Sequence, residues 1–245
     1  MILALCMSGK GKAPEADPAV AVLAAVKVTR TSSAYTSQKI VLDPGVGQSY
    51  EIDVTGGFDL AADKGALKVH MLHKPGDASV REVFADGKVY VSDMPQLRKG
   101  DWATMPRART EAHYALRGPV NDPEFLLQQT AKMREVSDIG AQTIGGVRTT
   151  HYRGALDHAA LTDRMAADSR KRMDQAWAHA GEDLPVSADV WVDGRGRVVR
   201  TRAALNVGGV RVTNTLNLSD HGEPVSVKVP AQTVPVGGLS GPFLG

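Results

Sequence analysis

The residues able to do chemistry are few and scattered. The chain has seven histidines and a single cysteine, Cys6. One cysteine allows no intrachain disulfide and no thiolate metal cluster. His70 and His73, in "HMLH", sit three apart on a segment with strand-like alternation, which sends their rings to opposite faces. They cannot chelate one ion together. His151 falls on another strand and His158 at the mouth of a helix, with no acidic or histidine ligand at metal-site spacing. All four read as surface or structural histidines. There is no G-x-S-x-G nucleophile elbow, and "GLSG" near the C-terminus lies in a segment without the periodicity that would hold a nucleophile rigid. No metal, no cofactor and no catalytic residue is expected, so the chain reads as a non-enzyme.

One stretch tests this. "DVWVDGRGRVVRTRAALNV", Asp189 to Val207, sets two glycines and four arginines (195, 197, 200 and 202) among valines. A phosphate-cradling loop runs from a strand into a helix N-terminus. Here Ala188, Val190 and Val192 alternate before the loop, and Val199, Thr201, Ala203 and Leu205 after it. Asp193 to Gly196 is therefore the turn of an antiparallel hairpin, and the arginines project from a solvated sheet face. Net charge agrees: 29 Lys and Arg against 27 Asp and Glu, with 5% aromatic residues, offer neither a field nor stacking platforms for nucleic acid.

The elements that must position these residues follow from their periods. Asp17 caps a helix that opens at Pro18, with Ala19, Val22, Leu23 and Val26 on one face. Asp122 and Pro123 open a second over "NDPEFLLQQTAKMREV", with Leu126, Leu127 and Met133 apolar. The longest helix is expected over 157–181, with Leu161, Met165, Met173 and Trp177 at multiples of four. Between the helices the period is two, in "SYEIDVT", "ALKVHML", "VREVFADGKVYV" with its Asp86-Gly87 turn, and "KGDWATM". "VSDIGAQTI" and "VRTTHYRG" join at Gly145-Gly146, and "VSADVWV", "RVVRTRAALNV", "VRVTNTLNL" and "PVSVKVP" follow as four closing strands. The tail 231–245 has no period.

The N-terminus "MILALCMSGKGKAPEADP" is similar to the end of a bacterial lipoprotein signal, in which the cysteine becomes acylated. It departs in three ways: the apolar run is about five residues, short of an ordinary signal core, no basic segment precedes it, and Leu5 stands where a small residue is usual. Residues 1–16 read as a truncated signal and tether, with Cys6 as the lipidation candidate. No stretch approaches the ~18 apolar residues of a membrane span.

The order of elements, with "DWATM" at 101–105, "GGVRTTHYRGALD" at 145–157, "ADVWVDGRGRVVR" at 188–200 and the valine-proline ending at 225–230, resembles the LolA-like superfamily, and within it the actinobacterial LppX/LprG-type lipoproteins. The resemblance spans about residues 17 to 230. It implies an α+β fold: a strongly curved antiparallel β-sheet, or half-barrel, covered on its concave face by helices. Residues 17–230 would form one lipid-binding domain and 231–245 an extended tail. The implied function is non-enzymatic binding and carriage of acyl chains of a lipid or lipoprotein at the cell envelope. The protein would be monomeric and extracytoplasmic, anchored to the membrane through Cys6. The alternative is a sensor or regulatory module of the same fold that binds a partner protein. On the apolar faces this fold brings together lie Ile52, Val54, Val69, Met71, Trp102, Leu126, Met133, Leu161, Met165, Met173, Val190 and Leu216, the expected cavity lining. The methionines suit either a core or a deformable pocket.

Overall fold

The computed structural model describes residues 17–72, 78–94, 97–109, 121–180, 186–207 and 210–235. Helix α1 (Pro18–Thr29) starts where expected, the Asp17 carboxylate accepting from the Ala19 amide. Its buried stripe is Val22, Ala25, Val26 and Thr29, the i, i+3, i+4, i+7 pattern of one helical face. Leu23, placed on that face by the sequence, is instead 38% exposed. The Thr29 hydroxyl donates back to the Ala25 carbonyl and accepts the Val198 amide, which ties the end of the helix to a strand 169 residues away.

Strands β1 (Ser33–Asp43), β2 (Tyr50–Asp59), β3 (Lys64–Leu72), β4 (Ala78–Ala85), β5 (Lys88–Ser92) and β6 (Trp102–Pro106) form a meander. A 3-10 turn, Arg107–Arg109, follows, and then α2 (Pro123–Thr130), capped by Asp122, whose side chain accepts from the Phe125 amide. Strands β7 (Arg134–Ile144) and β8 (Val147–Leu156) make a hairpin, followed by α3 (His158–Thr162) and α4 (Ala167–Ala180). Strands β9 (Val186–Asp193), β10 (Val198–Val207) and β11 (Val210–Ser219) complete the sheet. The spatial order is β6-β5-β4-β3-β2-β1-β11-β10-β9-β8-β7: eleven antiparallel strands in a curved, unclosed half-barrel. A two-residue strand, β12 (Val234–Pro235), adds in parallel to β6.

The turns follow their glycines. Asp86 and Gly87 both have positive φ, as do Gly145 and Gly146, which is the backbone a two-residue hairpin of this twist requires. At the β9–β10 turn the Asp193 carboxylate accepts the Arg195 and Arg197 amides and the Arg197 guanidinium, so the Gly-rich stretch is a hairpin.

Several elements depart from the sequence reading. Helix α2 ends at Thr130, and "REV" already belongs to β7. The long helix expected over 157–181 is two. At the break Met165 closes a tight turn onto the Thr162 carbonyl, the Ala166 amide donates to the Ala108 carbonyl, and the Arg170 guanidinium covers the Asp163 and Met165 carbonyls. These partners replace the helical bonds lost at Asp163 to Ala166. "PVSVKVP" is not a strand. It runs extended across the sheet, with Val225 over Gly57, Val227 against Val83 and Tyr90, and its continuation at β12. Strand β1, which the sequence reading does not pick out, is central: its inward positions include Thr36 and Gln38, which interrupt the apolar alternation. Strand β7 carries two register shifts, between Arg134 and Ser137 and between Asp138 and Gly140, with positive φ at Glu135 and Gly140.

The core lies on one face of the sheet. Ile40, Ile52, Val54, Phe58, Leu67, Val69, Val190 and Leu216 from the strands join Val22 and Val26 of α1, Leu126 and Leu127 of α2 and Leu161 of α3 in one buried cluster. Gly65 is required there, since a Cβ at this position would meet the Phe58 ring at 2.1 Å.

Candidate functional site

Cross-strand register assembles the inner face into rows. Val80, Val69, Val54, Gln38, Leu216, Thr201, Val190 and Tyr152 are successive neighbours from β4 to β8. Four of the expected lining residues, Val54, Val69, Val190 and Leu216, thus fall in a single row. The next row runs Met71, Ile52, Ile40, Asn214, Ala203, Ala188 and Gly154. Its right half is built of small residues, and the Gln38 side chain links the rows by donating to Asn214 Oδ1 at 2.8 Å. Gln38 and Asn214 are inward polar groups that sequence reasoning missed, because only the register shows which way they face.

The coverage of this face is uneven. Val54, Val69, Val190 and Leu216 are fully buried, with Ile52, Leu126, Met133, Leu161 and Met165 nearly so. Towards the end where β10 turns into β11, Leu42, Met71, Ala203, Leu205 and Val210 face inward against the same cluster but stay only partly buried. One of the expected lining residues stands apart. Trp102 packs on the opposite face with Val83, Ala85 and Tyr90, its ring 5.2 Å from the Arg81 guanidinium. The parity of β6 explains this: Ala103 and Met105 take the inner positions, so Trp102 and Thr104 point outward. The Met173 side chain, like Cys6, His73 and "GLSG", lies outside the described residues.

The other end of the inner face is closed by buried charge. Arg107 is 4% exposed and grips Asp122 with two bonds of 2.5 and 2.6 Å, while its third nitrogen reaches Asp63 at 2.6 Å. Its guanidinium lies 5.1 Å from the Phe84 ring and 5.6 Å from Phe58. Burial works against its charge, but Asp122 and Asp63 outweigh burial and hold its pKa above the ordinary value. Beside it, Glu82 accepts from Asn121, and Glu124 takes Arg30 at 2.5 Å and Arg164. The cluster fastens the 3-10 turn, the start of α2, the end of α1 and the α3–α4 turn to one end of the sheet.

The outer face holds the remaining polar cluster. His151, 3% exposed, stacks on Trp191 at 4.4 Å and bonds Asp189 through Nε2 at 2.7 Å. Arg153 donates to the same carboxylate oxygen, and the Trp191 indole donates to Gln142. His158 bonds Asp174 across the α3–α4 break. Among the described residues no group of three or more His, Cys, Asp or Glu is placed to hold a metal ion, and no helix is long and apolar enough to cross a membrane.

This unclosed, curved antiparallel sheet is a fold the chain shares with a solved mycobacterial lipoprotein. Among solved structures, LprF from Mycobacterium bovis superposes with a TM-score of 0.51 at 16% identity, covering 89% of this chain and 99% of that one. Lipoprotein LppX from Mycobacterium tuberculosis gives 0.46 at 18%, covering 87% and 100%. A LolA superfamily protein from Nitrosomonas europaea gives 0.34 at 10%, covering 88% and 96%. The similarity is one of fold. No family model matches the sequence, and no curated protein does.

Proposed function

We propose that the protein binds acyl chains of a lipid or acylated ligand against the inner face of the half-barrel and carries them at the cell envelope, without covalent chemistry. The observation that carries this reading is the group of inward apolar side chains, Leu42, Met71, Ala203, Leu205 and Val210, that remain partly open to solvent beside the buried core. Apolar surface left accessible on the helix-bearing face is costly unless something apolar covers it. Each methylene buried there is worth about 0.8 kcal/mol, so ten supply about 8 kcal/mol before ordering costs. Affinity of this kind needs no directed polar contact. The helices cover the concave face in this reading, residues 17–230 act as one lipid-binding domain, and Cys6 anchors an extracytoplasmic monomer.

The test narrows the open end. Ala203 stands between Ala188 and Asn214 on the inner face and is half-buried, so Ala203→Trp adds a ring where an acyl chain would lie. A fluorescent fatty-acyl probe should bind the wild type and lose at least tenfold in affinity, about 1.4 kcal/mol, in the variant. Native mass spectrometry of protein from its own envelope should release lipid. Equal probe binding by both proteins, or by neither, removes the support and leaves the partner-binding module as the better reading.

A further inference from the structure

The outer face of β10 carries charge that its neighbours do not balance. On this face the register builds two rows. One runs Thr55, Ser37, Asn217, Arg200, Trp191 and His151, and the other Asp53, Lys39, Thr215, Arg202, Asp189 and Arg153. Most of the charges are matched. Lys39 pairs with Glu51 at 2.7 Å and Asp53 at 3.4 Å, and Asp189 is occupied by His151 and Arg153. Arg200 and Arg202 meet no carboxylate among the described residues. They stand two apart on one strand, with Cα atoms about 7 Å from one another.

Arg200 is also held in place. Its Nε donates to Asn217 Oδ1 at 2.6 Å, and its guanidinium lies 5.8 Å from the centre of the Trp191 ring. Trp191 is itself fixed by its stack on His151 and its bond to Gln142. The guanidinium thus borders a groove of about 500 Å³ whose other walls include Ser37, Thr55, Thr215, Asn217 and the mutually paired Lys39 and Asp53. Burial disfavours the charge of Arg200 and draws its pKa below the ordinary value. A partly buried, oriented cation with no ion pair is stabilised by an anion that can take its free nitrogens.

We propose that this groove is an anion site for a phosphate monoester group, with Arg200 as its main contact, Arg202, the cross-strand neighbour of the lining residue Thr215, as a second cation at its border, and the Ser37, Thr55 and Thr215 hydroxyls as further donors. Two cations match the charge of roughly −1.5 to −2 that such a group carries at neutral pH, and its three oxygens suit several donors better than a flat carboxylate does. The site lies on the face opposite the acyl-binding surface, so it stands independently of that reading.

The group can be free or the headgroup of a lipid, and two probes separate these sources. In chloride buffer, amide and indole NMR shifts are followed on adding glycerol 3-phosphate. In parallel, the protein is floated with phosphatidylcholine vesicles, with and without phosphatidic acid. Saturable shifts at Trp191, Ser37, Thr55 and Asn217 are expected with the soluble probe. Arg200→Gln should weaken binding about tenfold and Arg202→Gln severalfold. Arg195→Gln removes the same charge from the exposed turn and should bind as wild type. Vesicle retention that needs both phosphatidic acid and Arg200, without soluble binding, assigns the site to a headgroup. Binding that Arg195→Gln weakens as much as Arg200→Gln, or no Arg200-dependent binding to either probe, overturns the proposal.

Discussion

Replacing Arg107 with methionine keeps most of the side-chain volume and removes the charge at the centre of the buried cluster. In the wild type Asp122 is 1% exposed and both of its oxygens face the guanidinium. The variant leaves that carboxylate buried without its cation and strips Asp63 of a bond. Breaking a buried pair from one side costs about 3–5 kcal/mol. For a chain of this size each kcal/mol lowers the melting temperature by about 2–4 °C, so Arg107→Met should melt about 6–20 °C lower by circular dichroism. The cause can be separated from lost packing. Asp122→Asn keeps an oxygen to cap α2 through the Phe125 amide but carries no charge. Added to Arg107→Met, it should recover part of the loss. A single variant within about 1 kcal/mol of wild type, or a double variant that simply sums two losses, would refute the view that charge compensation holds this end together.

Two other consequences are open to simple measurement. Burial pushes the Asp193 carboxyl up, but the bonds from Arg197 and the Arg195 and Arg197 amides prevail and hold it below the usual carboxylate range. A depressed folded pKa gives stability that is complete above the unfolded value of about 4 and is lost as pH falls through the folded one. Asp193→Asn should therefore cost on the order of 1 kcal/mol at neutral pH, after solvent screening, and flatten the acid limb of the stability curve; an unchanged limb contradicts this. Deleting residues 223–245 uncovers Val83, Ala85 and Tyr90, against which Val227 packs, and should lower the melting temperature by several degrees, at about 2–4 °C per kcal/mol. An unchanged melting temperature would mean that the crossing segment contributes nothing.

What the sequence made legible was whatever is decided locally. The Asp86-Gly87 and Gly145-Gly146 turns, the Asp17 and Asp122 caps and the hairpin nature of 189–207 need only a few neighbouring residues. Strand β1 was hidden because Thr36 and Gln38 occupy inward positions, so its alternation was not apolar against polar. The α3–α4 break depends on Ala108 and Arg170, one of them more than fifty residues away in the chain. The sequence does not orient Trp102, because a short strand offers two parities and an aromatic residue favours neither. The His151–Asp189 contact and the unbalanced Arg200 and Arg202 need the register of four strands, which no spacing along the chain encodes. The same register put four of the expected lining residues in one row, since period-two patterning fixes which face each takes.

An eleven-stranded ribbon that does not close has two sides from which it could grow by recruiting a strand from another copy, the route by which open sheets polymerise. This chain blocks the two sides by different means. On the β6 side Val234 and Pro235 of its own C-terminal segment pair with Ala103 and Thr104 in the middle of the edge strand, so partial self-completion interrupts the run a foreign strand would need. On the β7 side two bulges put Glu135 and Gly140 out of the pleat, and Arg134, Glu135 and Asp138 add charge. The regular run left there, from Ala141 to Ile144, is too short to template a fibril.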